Sequence, residues 1–235
     1  MKKWWLIGLL LVITLGVANV ILNSTKKSNL TSATLLPWEI DITAEGNTRV
    51  FDIEVGATTL QQLTQQLQSK ITMVPEIALF EAPDKGYRLE SYLGKIQLGP
   101  FQARIILSLD ASPQLLAQFA ANSTSSQATP SGNRQLRLNS DDFERASELV
   151  ITELSYSPAV DTEPNLLEQL FGTPQQRLEL DTSSSYWLYP ERGLAILVNS
   201  EDKEVFHYVP PRHFEQVVTR IKALEVSQAT LPADQ

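Results

Sequence analysis

The chain offers few side chains able to do chemistry, and their spacing argues against most familiar reactions. Its two histidines, His207 and His213, are joined in sequence by a possible strand and a Pro-Pro pair. Glu201, Asp202, Glu204 and Glu215 could add carboxylates, but a metal would require the two histidines to fold back on one another. Packed or solvated imidazoles are the simpler expectation, so no metal and no cofactor is assigned. Asp141, Asp142 and Glu144 form an acidic cluster at a predicted helix start, where acids complement the helix dipole. Ser183-Ser184-Ser185 lacks the Gly-x-Ser-x-Gly elbow of a serine hydrolase. Neither a Walker loop nor a Gly-x-Gly-x-x-Gly turn is present. With no cysteine, disulfides, thiol catalysis, cysteine zinc sites and a lipidated amino-terminal Cys are excluded. The expectation is a non-catalytic protein.

Binding is the remaining class. Trp187 and Tyr189 share one face of a predicted strand, and Tyr186 and Leu188 share the other. Bulky side chains on both faces require two covers. Trp187 and Tyr189 are therefore a candidate partner surface, with packing between two halves of the chain as the alternative.

The elements that would position these residues follow from periodicity. Trp38, Ile40 and Ile42 alternate with polar residues, and Glu45-Gly46-Asn47 turns the chain into Val50–Val55, which predicts a hairpin. Gly56-Ala57-Thr58 leads into Leu60, Leu63 and Leu67, the spacing of an amphipathic helix. Four short strands are predicted over Ile77–Glu81, Tyr87–Leu93, Lys95–Leu98 and Gln102–Leu109, then a helix opening at Ser112-Pro113. In the second half come a strand over 134–138, a helix capped by the run Asn139-Ser140-Asp141-Asp142, and a strand from Ile151 to Tyr156. A helix then ends at Gly172 before Pro174, three or four strands follow between residues 176 and 209, and a final helix carries Phe214, Val217 and Ile221. The two halves look alike. The predicted fold is α+β: an N-terminal transmembrane helix, then two small units of short helices on antiparallel meanders.

The domain boundaries follow: an anchor over 1–27, a stalk over 28–36, a first unit over 37–121, a linker over 122–133, a second unit over 134–227 and a tail over 228–235. The anchor rests on the uncharged stretch Trp4–Leu22, long enough as a helix to cross a bilayer. Trp4 and Trp5 suit the membrane interface, and Lys2 and Lys3 flank it. A signal peptide cut after Ala18 is the alternative reading. All four basic residues among the first 27 belong to this segment, so the remainder holds 15 basic and 27 acidic residues, a net −12. Such a surface repels nucleic-acid phosphate, and nucleic-acid binding is not expected.

The order Leu170-Phe171-Gly172-Thr173-Pro174, then Tyr186-Trp187-Leu188-Tyr189, then Leu194–Asn199 and Lys203-Glu204-Val205 resembles the BamE-like (SmpA/OmlA) envelope domain. Val55-Gly56-Ala57-Thr58 and the helix after it look like that family's opening turn. The chain lacks the family's lipidated Cys, and its first half has no Gly-x-Pro helix stop. The resemblance implies a bacterial periplasmic domain that binds partners or stabilises a complex without catalysis, with Gly56, Gly172 and Pro174 as structural signatures. Together with the leader it implies a single-pass inner-membrane protein with its bulk in the periplasm, or a periplasmic protein if the leader is cleaved. The expected partners are the bilayer, through residues 4–22, and an envelope protein. The alternatives are an envelope hydrolase using a carboxylate pair and a purely structural tether.

Overall fold

The computed structural model describes residues 35–67, 75–82, 86–98, 100–130 and 132–229, with backbone alone for 224–229. The anchor expected over 1–27, including Lys2, Lys3, Trp4 and Trp5, lies outside the described residues. Among the described residues no helix is long and apolar enough to cross a membrane.

Leu35 is buried, and the carbonyl of Pro37 accepts a hydrogen bond from the buried Tyr208 hydroxyl at 2.8 Å. Strands β1 (Asp41–Ile42), β2 (Thr48–Val50) and β3 (Ile53–Val55) make a small antiparallel sheet. The turn between β2 and β3 places Phe51 and Asp52 at φ +54° and +62°, a conformation that usually selects glycine or asparagine. Phe51 inserts its ring against Tyr156, 4.9 Å between centroids, and that burial offsets the strain. Thr48 fastens this sheet to the far end of the chain, donating to the Val209 carbonyl at 2.7 Å. Gly193 lies at the same junction with φ +61°, and a Cβ there would come within 1.9 Å of the Val209 oxygen.

Helix α1 (Leu60–Leu67) buries Leu60, Leu63 and Leu67, as their spacing predicts. Thr59 and Gln62 cap its start reciprocally, each side chain accepting from the other's backbone N–H. Three long strands follow, β4 (Glu76–Ala82), β5 (Gly86–Leu98) and β6 (Phe101–Leu109), where four were expected. The break expected at Gly94 is a bulge inside β5, where the register slips between Tyr92 and Lys95. Helix α2 (Pro113–Ala121) starts under the Ser112 cap, and β7 (Ser125–Ala128) and β8 (Arg134–Arg137) form a hairpin. Helix α3 (Ser140–Ser147) is capped by Asn139, then come β9 (Ile151–Pro158) and α4 (Pro164–Phe171). The chain closes with β10 (Gln176–Glu179), β11 (Ser184–Tyr189), β12 (Leu194–Asn199), β13 (Val205–Tyr208) and α5 (Phe214–Ala229).

The expected α+β fold of two separate meanders is corrected by the topology. The described residues are mostly β, and β4 to β13 form one antiparallel sheet of ten strands in the order β10-β11-β12-β13-β9-β6-β5-β4-β8-β7. The seam between the halves is β6 with β9, paired from Ala103 with Pro158 to Leu109 with Ile151. Both strands bury one face in alternation, Ile105 and Leu107 on one and Leu154 and Tyr156 on the other, so they meet in phase. Pairing them removes two open edges that separate meanders would expose. The expected linker contributes β7, whose four residues are all exposed, as an edge strand.

The large sheet has an inner and an outer face. The inner face carries the main core with the small sheet and α1 to α4, whose buried members include Leu63, Phe119, Ala146 and Phe171. The outer face has a second core of Tyr186, Leu188, Ala195 and Val209, and α5 covers it with Phe214, Val217 and Ile221.

Candidate functional site

The outer face can be read along one row of cross-strand partners. Leu188 faces Ala195, Ala195 faces His207, His207 faces Ser155, Ser155 faces Ile106, Ile106 faces Tyr92, and Tyr92 faces Glu76. Side chains on directly paired residues share a face of the sheet. At one end of the row, Leu188 and Ala195 are sealed under α5. At the other, Ile106 is 38% exposed and Tyr92 40%. The cover stops in the middle, at His207.

A polar cluster marks that border. His207 Nδ1 lies 3.0 Å from both Ser155 Oγ and Glu153 Oε1, and Arg220 of α5 pairs with the second oxygen of Glu153. Burial pushes the Glu153 carboxyl up, but the hydrogen bond and charge of His207, with Arg220, outweigh it and hold the group below the ordinary 4.5. Serine, histidine and glutamate side by side suggest a hydrolytic triad, but the geometry is wrong for one. A relay needs the hydroxyl on one ring nitrogen and the carboxylate on the other, and here both meet Nδ1. The cluster acts as a clamp between sheet and helix.

Beyond the border the outer face is open. Phe80, Tyr92 and Ile106 surround a shallow groove of about 230 Å³, which Glu76, Ala78 and Glu90 also line. Arg88 pairs with Glu90 at 2.6 Å and lies over the Phe80 ring. Lys95 stands directly opposite Arg104 on the neighbouring strand, and both are exposed.

A second concavity is larger and strongly acidic. A hollow of about 690 Å³ gathers Asp161, Glu163, Glu179, Glu201, Asp202 and Glu204, with Lys203 as the cation in its lining. Glu204 is buried, and both its oxygens accept from the Thr162 N–H at 3.2 Å. Burial pushes its carboxyl above the ordinary 4.5, and the charge of Asp161 adds to that. Among the described residues no His, Asp and Glu cluster is arranged to hold a metal ion.

The residues picked out by sequence fall elsewhere. Trp187 and Tyr189 are each 5% exposed and belong to the inner-face core, so they do not form a surface. The Arg177 guanidinium lies 4.2 Å from the Trp187 ring centroid, and the Tyr189 hydroxyl donates to the Gly172 carbonyl at 2.9 Å. Gly172 ends α4 at φ +80°, with Pro174 two residues on. Gly56, at φ +100°, packs against Asn47, Pro210 and Arg212, leaving no room for a Cβ. Asp142 is buried and accepts from Asn122, Asn139 and Arg145, a cap network. Ser183 and Ser184 turn around the Asp181 carboxylate. His213 ends a short 3-10 turn at the start of α5, and His207 joins Glu153 and Ser155 instead of it. Tyr92, Ile106 and Glu153 escaped sequence reasoning. The available signal was an alternating strand whose outward positions hold Tyr and Ile.

Comparison with protein-family profiles, with curated proteins and with solved structures finds no match to this chain.

Proposed function

We propose that this is a non-catalytic binding protein of the bacterial cell envelope, held at the inner membrane by residues 4–22 with its bulk in the periplasm. It would serve the assembly or stability of an envelope complex, in the manner of the BamE-like domains it resembles. The single observation that carries the binding role is the half-covered outer face, where Tyr92 and Ile106 are left open beside a half that a helix seals. Exposed aromatic and aliphatic side chains in one patch favour association.

The test is photocrosslinking in intact envelopes, with a photoreactive residue placed in turn at Tyr92, Ile106, Ile42 and Leu166, all exposed. Adducts concentrated at Tyr92 and Ile106 are expected. No adduct at any of the four positions would overturn the binding role.

One observation favours a second reading, an envelope hydrolase. The acidic hollow sets a buried Glu204, its carboxyl pushed up, near the charge of Asp161. One protonated and one ionised carboxyl make an acid/base pair. Release of fragments from labelled envelope polymer, lost in Glu204→Gln and in Asp161→Asn, would support it. No release by the unaltered protein would remove it.

A further inference from the structure

We infer that the open half of the outer face docks an amphipathic helix with an acidic flank, supplied by a partner protein. The inference deepens the binding role proposed above and rests on it.

The surface excludes a docked strand. β4, β5 and β6 are interior strands hydrogen-bonded on both sides, so their backbone groups are already paired. A partner must use side chains against side chains, which is how a helix packs on a sheet. The molecule displays that packing once. On the covered half, α5 sets Phe214, Val217 and Ile221 on Tyr186, Leu188 and Ala195, and Glu153 of the sheet grips Arg220 of the helix. There an anion on the sheet holds a cation on the helix.

On the open half cations outnumber anions: Glu76 and Glu90 line the groove, Arg88 pairs with Glu90, and three further cations stand against Glu76. Lys95, Arg104 and Arg137 are exposed and make no ion pair among the described residues. By strand alternation all three lie on the outer face, in strands next to Phe80, Tyr92 and Ile106. Lys95 opposite Arg104 is a like-charge pair, unfavourable in the free protein and relieved by an incoming anion. These cations stand out on a chain of net charge −8. A helix that fits brings apolar residues to Phe80, Tyr92 and Ile106 and carboxylates to the three cations. A second copy of this chain, packed through the same face about a two-fold axis, would bring one net-positive patch against another.

The test uses the full-length protein in detergent micelles and two labelled synthetic helices with the same apolar stripe, one flanked by Glu and the other by Lys. Fluorescence anisotropy should show the Glu peptide binding about tenfold or more tightly than the Lys peptide. Lys95→Glu with Arg104→Glu should invert that preference, and Ile106→Asp should abolish binding of both. Circular dichroism and the urea midpoint verify that each variant is folded. Equal binding of the two peptides, binding of neither, or a preference unmoved by charge reversal would overturn the inference. Self-association lost in Ile106→Asp would assign the face to a second copy and overturn it too. Crosslinks at Ile42 or Leu166 but not at Tyr92 would sink this inference while sparing the binding role, whereas none anywhere would sink both.

Discussion

The two ends of the outer face are built on the same sheet and differ in what lies over them. Under α5, Leu188 and Tyr186 are core residues; six strands away along the sheet order, Phe80 sits at the edge of an open groove. The covered strands β11 and β12 carry apolar side chains on both faces, whereas β5 and β6 alternate, with mostly polar outward positions around Tyr92 and Ile106. Residue type and cover agree: α5 lies over the strands whose outward positions are apolar, and Tyr92 and Ile106 are the large apolar residues left outside it on this face. Burial of the outward residues of β11 and β12 depends on that helix.

The comparison can be broken by removing the cover. Phe214→Ala, at a nearly fully buried position of α5, should cost about 3–5 kcal/mol in urea unfolding and raise binding of a hydrophobic dye, making the sealed half resemble the open one. A loss under 1 kcal/mol would mean that α5 is not the seal (about one buried methylene is worth that much). Gly193→Ala comes next. Left-handed backbone and a clash with the Val209 carbonyl should lower stability by about 3 kcal/mol, read from the same urea transition.

The border itself responds to pH. The Glu153 carboxyl is held low in the folded protein, so its contribution is complete above 4.5 and is lost as pH falls through the depressed value. Glu153→Gln should therefore cost about 1–2 kcal/mol near pH 7, and the gap to the unaltered protein should narrow as acid titrates the carboxyl below 4.5. Thermal melts across that range measure the gap. The smallest effect belongs to the open half. Ile106→Ser should change stability by no more than about 0.5 kcal/mol, against about 3 kcal/mol for Leu188→Ala two places beyond the clamp in the same row. A large loss at Ile106 would show that the open face is part of the fold's own core.

Local structure was legible in the sequence. Leu60, Leu63 and Leu67 announced α1, Ser112-Pro113 opened α2, the run Asn139–Asp142 marked the start of α3, and Gly172 stopped α4, because each signal acts within one turn of its own residue. The sheet was not legible, because β6 and β9 pair across more than forty residues, among them the polar stretch 122–133 that reads as a linker between two domains. Periodicity names the buried side of a strand without naming its neighbour. Trp187 and Tyr189 misled for the same reason: with bulky residues on both faces, either could have been outermost, and only the placement of α5 against the inner helices decides. The clamp needed the register of β9 against β13, which sets His207 opposite Ser155.

The bond from the Tyr208 hydroxyl to the Pro37 carbonyl has a mechanical consequence. A force pulling outward on Leu35 would pass through that bond into β13, which has hydrogen-bonded neighbours on both flanks. The first described residues are thus tied to the middle of the sheet, so freeing them means breaking a buried bond that no edge strand shares.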